Sequence, residues 1–143
     1  MKHGIVGRLT SGYFRYQGWP TLAKDKNGAL FAVCSGHRLD HVCPFGKNLM
    51  YVSTDEGETW SAPQIVNDTY LDDRDAGLVC WGEGNMLLTW FNNTMDVFEN
   101  PRRKELFPNL TESFSVALME KWKTLPMTEF GSFTRISRDG GKN

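Results

Sequence analysis

Short apolar runs, each closed by turn residues, recur along this chain. Trp19-Pro20-Thr21-Leu22-Ala23 runs into Asp25-Lys26-Asn27-Gly28, and Ala29-Leu30-Phe31-Ala32-Val33-Cys34 leaves it, the pattern of a strand, a tight Asn-Gly turn and a second strand. A polar loop from Ser35 to Gly46 follows, and Asn48-Leu49-Met50-Tyr51-Val52 predicts a third strand. Ser61-Ala62-Pro63-Gln64-Ile65-Val66 predicts a fourth on the sheet edge, where the missing N–H of Pro63 is tolerated. The order then repeats: Ala76 to Trp81 and Met86 to Phe91 flank Gly82-Glu83-Gly84-Asn85, and Gly131 to Ile136 predicts the next strand. Setting Trp19-Pro20-Thr21-Leu22 on Asp75-Ala76-Gly77-Leu78 brings both hairpins into phase, so the chain reads as an internal repeat of four-strand units.

Residues 1–18 carry Gly4, Gly7, Gly12 and Gly18 among aromatic residues and read as a lead-in with strand tendency. The credible helical period falls in an insertion at 92–128. There Leu110, Phe114, Ala117, Leu118, Met119 and Trp122 recur near helical spacing, with Asn109 as N-cap and Glu112 three residues on, which predicts a helix from about Leu110 to Lys123. Its apolar stripe is read as a packing surface.

Between the third and fourth strands lies Ser53-Thr54-Asp55-Glu56-Gly57-Glu58-Thr59-Trp60, and a shortened copy, Ser137-Arg138-Asp139-Gly140-Gly141, follows the last strand. Asp55 can accept hydrogen bonds from the N–H groups that follow it, Gly57 permits positive φ, and Trp60 pins the turn from below. The pattern Ser-x-Asp-x-Gly-x-Thr-Trp after a strand resembles the Asp-box, or BNR repeat, of sialidases and related β-propellers. In the first copy it is carried by Ser53, Asp55, Gly57, Thr59 and Trp60, and in the second by Ser137, Asp139 and Gly141.

The resemblance implies an all-β, sialidase-like β-propeller, six-bladed when complete. Blade one would span about 19–66 and blade two about 74–143 with its insertion at 92–128, so that the chain is an N-terminal portion, inactive alone. It implies an exo-glycoside hydrolase acting on a terminal sugar of a glycan without a cofactor. The alternative is a non-catalytic carbohydrate-binding or scaffold propeller, since fold does not decide function. In the family a loop of the first blade supplies a carboxylic acid/base, often preceded by an arginine, and Arg38 and Asp40 stand in that order. The implied roles are Asp40 as acid/base and Arg38, Arg74 and Asp75 as sugar contacts. The nucleophilic Tyr, its Glu and further arginines come largely from later blades. One departure is visible: where sialidases carry Phe-Arg-Ile-Pro, this chain has Gln17-Gly18-Trp19-Pro20, so Gly18 holds an arginine position unless Arg15 replaces it. Arg74 falls on the matching position one repeat later. For Asp72-Asp73-Arg74-Asp75 a second reading stays open, in which Asp72 and Asp73 cap a turn and Arg74 pairs with Asp75 between blades.

Composition narrows the partners. A net charge of −1 gives none of the basic excess that nucleic acid or an anionic membrane would attract. The opening Met1 to Arg8 lacks the apolar run of a signal peptide, and nowhere do about 18 apolar residues run together, so no membrane insertion and a cytoplasmic location are expected. The 3 cysteines, Cys34, Cys43 and Cys80, cannot all pair with one another, in keeping with a reducing compartment. The Asn-x-Thr sequons at Asn67, Asn92 and Asn109 are read as chance. Cys34, His37, His41 and Cys43 carry metal-ligand side chains, but their spacing matches no compact zinc pattern, and no metal site is assigned.

Overall fold

The computed structural model describes residues 3–10, 12, 14–94, 105 and 111–142. Strands β1 (Tyr16–Lys24), β2 (Leu30–Arg38), β3 (Lys47–Ser53) and β4 (Gln64–Asn67) form one antiparallel meander. Strands β5 (Asp72–Trp81), β6 (Asn85–Asn93) and β7 (Ser132–Ser137) form a second sheet. Helix α1 (Glu112–Thr124) interrupts the β6–β7 connection. The individual strand runs are all present, but among the described residues the second unit has three strands where a four-strand unit is expected, and β2 runs on to Arg38, so Arg38 ends a strand rather than lying in the following loop. The N-cap of α1 is Thr111, whose hydroxyl accepts from the Phe114 N–H. The predicted cap Asn109 and first residue Leu110 lie outside the described residues.

The sheets pack face to face, and ring closure is not observed. Phe31, Val33 and Met50 of the first sheet bury against Ala76, Met86, Leu88 and Trp90 of the second, and Phe133 stacks on Trp90 with ring centroids 5.5 Å apart. The opposite face of the first sheet has its own cluster of Ala32, Cys34, Leu49 and Tyr51, against which Trp60 packs. β2 and β3 are thus apolar on both faces, which explains their unbroken hydrophobic runs. On the far face of the second sheet Val79, Leu87 and Ile136 align in register across three strands. Val79 and Ile136 each remain 50% exposed there.

Two local features repeat in both sheets. β1 and β5 each break register, between Gly18 and Thr21 and between Arg74 and Gly77, and at the same step a non-glycine residue takes positive φ: Trp19 at 54° and Asp75 at 49°. The two Asp-containing turns also share their bonding. Ser53 Oγ donates to Asp55 Oδ1 at 2.8 Å and accepts from Gly57 N at 2.9 Å, and Ser137 Oγ does the same with Asp139 (2.7 Å) and Gly141 N (2.9 Å). Asp55 further accepts from the N–H and hydroxyl of Thr59, and these bonds hold its carboxyl down to about 2. In the β1–β2 hairpin the organiser is Asp25 rather than Asn27. Asp25 Oδ1 accepts from Asn27 N at 2.9 Å and Ala29 N at 2.8 Å, with Gly28 at φ 92° closing a longer turn.

Candidate functional site

The antiparallel order brings four chain segments to one end of the two sheets: the start of β1, the β2–β3 loop, the β4–β5 connection and the start of β5. Loop and sheet are joined there by backbone, the Asp73 N–H donating to Gly46 O at 3.2 Å. Three of the positive-φ side chains, Trp19, His37 and Asp75, lie at this end. Such backbone conformations in non-glycine residues cost energy and concentrate where side chains must be aimed.

The Trp19 ring is the hub. The His41 ring meets it edge-on at 4.9 Å, the Arg74 guanidinium lies 5.3 Å from its centroid and that of Arg38 5.7 Å away. Arg74 also lies 5.9 Å from the Phe91 ring, so its planar cation is held between two aromatic groups. Arg74 Nη2 sits 3.3 Å from His41 Nε2; because a guanidinium only donates, Nε2 accepts and the imidazole proton is assigned to Nδ1. Arg74 Nη1 is 3.9 Å from Asp72 Oδ2, and the side chain keeps 12% of its surface in contact with solvent. Asp40 borders the same mouth, its Oδ1 accepting from His41 N at 2.7 Å.

Beneath the mouth is a sealed ionic layer. Arg38 and Asp72 side chains are both 0% exposed and form an ion pair at 2.6 Å. Arg38 also donates to the carbonyls of Asp40 (3.4 Å), His41 (2.9 Å) and Asp73 (3.2 Å), so one side chain fixes the loop and the start of β5 together. Burial pushes the Asp72 carboxyl above the ordinary carboxylate range, while Arg38, the Cys43 N–H and Arg74 pull it back. Asp73 turns the other way and accepts from Thr69 N at 2.7 Å and Thr69 Oγ1 at 3.1 Å, closing the β4–β5 connection.

Burial raises the Asp73 carboxyl from 3.8 to about 6, against the Thr69 bonds that favour its charge. A raised acid stabilises the fold where it is protonated, below its unfolded value near 3.8, and that contribution is lost as pH rises through 6. The shift corresponds to at most roughly 3 kcal/mol. Asp73→Asn is therefore expected to flatten the fall in stability between about pH 4 and pH 6, read by urea unfolding of both proteins across that window. Parallel profiles would show that Asp73 stays ionised in the fold.

No family model matches this sequence, and no curated protein matches it. Among solved structures it is similar to a protein of unknown function from Dyadobacter fermentans DSM 18053, with TM-score 0.61 and 20% identity over 96% of this chain. The likeness is one of fold. The chain spans 36% of the length of that neighbour.

Of the residues singled out from sequence, Asp40 and Arg74 both border the mouth, each through His41. Arg38 does not: it lies under the floor with no exposed surface, so in this structure its role is to hold backbone and Asp72 rather than to touch a ligand. Asp75 is exposed at the rim, where its N–H donates to Ser35 Oγ at 2.8 Å and ties the sheets together. Arg15 is exposed ahead of β1. The turn-capping reading holds for Asp73. Sequence reasoning passed over Trp19 and Phe91 as site residues, taking both for strand packing; the alignment of Trp19 with Asp75 was the available signal. The cysteine and histidine cluster disperses. Cys34 joins the outer face of the first sheet, Cys43 is buried below the loop, and His41 stands at the mouth. Burial raises the Cys34 thiol to about 11, so it is no ready nucleophile. Among the described residues no helix is long and apolar enough to cross a membrane.

Proposed function

We propose that this chain forms two blades of a sialidase-like β-propeller whose channel mouth binds a terminal sugar of a glycan, and that the assembled propeller hydrolyses the glycosidic bond. The repeated bulges and the repeated Asp-turn bonding support the blade reading. So does the facing of the sheets. Leu22 pairs with Ala32 in the first sheet as Leu78 pairs with Leu88 in the second, which makes Phe31 and Leu87 equivalent. Phe31 packs toward the second sheet, so the face bearing Leu87, Val79 and Ile136 is the one that a further blade would cover by the same stacking.

The observation that carries the sugar-binding reading is Arg74, a guanidinium clamped between Trp19 and Phe91, braced by His41 and Asp72, and open to solvent at the channel end. A cation so fixed beside half-buried aromatic rings suits a hydroxylated ring bearing an acidic group. Asp40 is the acid/base of this reading, delivering its proton to the leaving glycosidic oxygen and later taking one from water. With Asp72 and Asp73 sealed below and engaged in loop architecture, a purely binding role for the mouth is the second reading.

In a polypeptide that completes the ring, Asp40→Asn is expected to lower kcat on fluorogenic glycosides, sialosides and neutral sugars alike, by about 10²-fold or more. Arg74→Ala is expected to act mainly on KM. Unchanged turnover in Asp40→Asn would remove Asp40 from the mechanism, and binding without turnover on every glycoside would leave the non-catalytic reading.

A further inference from the structure

A second concavity opens at the same end of the sheets as the Trp19–Arg74 mouth. It lies between α1 and two loops, 44–47 and 68–70, and measures about 310 Å³, at the small end of ligand-sized pockets. Pro44 and Phe45 form one side and Phe114 of α1 the other, the two phenyl rings 6.2 Å apart and inclined at 35°. Tyr70 closes the third side. Its carbonyl accepts from Trp122 Nε1 at 2.7 Å, which fixes the helix against the loop. Tyr70 is 60% exposed, and Phe114 is 47% exposed.

Two ammonium groups stand at the rim. Lys121 Nζ sits 4.7 Å from the Tyr70 ring centroid, and Lys47 pairs with Asp68. The rim residues thus carry two positive charges against one negative. Exposed aromatic residues such as Tyr70 and Phe114 suit the C–H faces of a pyranose ring, and an ammonium on a four-carbon stem suits a carboxylate projecting from that ring. The cleft and the mouth share the β2–β3 loop as a wall: the loop that places His41 beside Arg74 carries Phe45 on its other flank.

We propose that this cleft is a second subsite, which holds an acidic sugar unit of the same glycan whose terminal residue occupies the Trp19–Arg74 mouth. Phe45, Phe114 and Tyr70 provide the stacking surface, and Lys121 reads the carboxylate. The chain therefore favours oligosaccharides with uronic acid residues over the corresponding monosaccharides. This rests on the sugar-binding reading of the mouth given above.

The test is binding to the 143-residue chain, followed by amide chemical shifts. The probes are a tetrasaccharide of alternating glucuronate and N-acetylglucosamine, tetragalacturonate, the carboxyl-reduced form of each, and the component monosaccharides. At least one acidic tetrasaccharide is expected to shift the amides of Phe45, Phe114 and Lys121. Phe114→Ala and Lys121→Ala should each weaken its binding about tenfold while leaving monosaccharide binding at the mouth unchanged. Carboxyl reduction should weaken binding to the parent chain and have no effect on the Lys121→Ala variant. If tetrasaccharides bind Phe114→Ala as they bind the parent, or bind no tighter than monosaccharides, the subsite is overturned and the mouth reading stands. If Phe114→Ala abolishes binding while Arg74→Ala does not, the cleft stands and the mouth reading falls. If no probe shifts any amide, both fall.

Discussion

Arg38→Ala is expected to destabilise the protein by about 3–5 kcal/mol, the range for removing one partner of a fully buried ion pair. The cost is dominated by what remains. Asp72 is 0% exposed, and its close partner at 2.6 Å is the Arg38 guanidinium; the other cation, Arg74, is 3.9 Å away. Without Arg38 the carboxylate is left charged in a desolvated layer or takes up a proton. The carbonyls of Asp40, His41 and Asp73 lose their donor at the same time. Two further measurements separate these effects. Arg38→Met combined with Asp72→Leu removes both charges and should cost less than the sum of the single changes, since each single change strands one member of the buried pair and the double variant strands neither. Under the sugar-binding proposal, glycan binding should fall in Arg38→Ala even at temperatures where the variant remains folded, because the carbonyls of His41 and Asp40 are held by Arg38. A loss of less than about 1 kcal/mol in Arg38→Ala would mean that water enters the layer and solvates Asp72.

Arg38 also marks the limit of what the sequence discloses. Its neighbours in the chain, His37, Leu39 and Asp40, suggest a polar loop, and the family resemblance makes it a companion of Asp40. What decides its role is Asp72, brought near by packing of one sheet on another, and no periodicity encodes that contact. Elements that depend on nearest neighbours were legible: the hairpin at Asp25–Gly28, the strand runs, and the Ser53–Trp60 turn, whose bonds lie within the motif itself. The capping of α1 fell between these cases. Asn109 and Thr111 are both good N-caps, Asn109 with Glu112 three residues on matches a capping box, and the structure shows Thr111 bonding to Phe114 N. Trp19 was legible as an apolar strand residue and illegible as a site residue. Its positive φ and sideways aim arise from the register break that the repeat places at both Gly18 and Arg74.

Gly46→Ala is expected to cost about as much as losing the ion pair, roughly 3 kcal/mol, although it removes no interaction. Gly46 closes the β2–β3 loop. Its N–H donates to Cys43 O at 2.9 Å and its carbonyl accepts from Asp73 N at 3.2 Å. A β-carbon built there would fall 2.6 Å from Asp72 Oδ1 and 2.8 Å from Arg38 Cζ, closer than nonbonded atoms tolerate. An overpacked site can relax by swinging a flexible side chain, and typical costs are then about 1–3 kcal/mol. Here the obstructing side chain is held by three carbonyls and a carboxylate, so relief must come from parting the ion pair or lifting the loop. The two routes are separable. If the loop lifts, the fold keeps most of its stability, but His41 leaves Arg74, and under the sugar-binding proposal glycan affinity drops. If the pair parts, stability falls. Introducing Gly46→Ala into the Arg38→Met background removes the guanidinium that the methyl group meets, and the added cost should drop to less than half. An undiminished cost in that background would place the clash on Asp72 and the backbone instead, and would remove Arg38 as the element that fixes the loop.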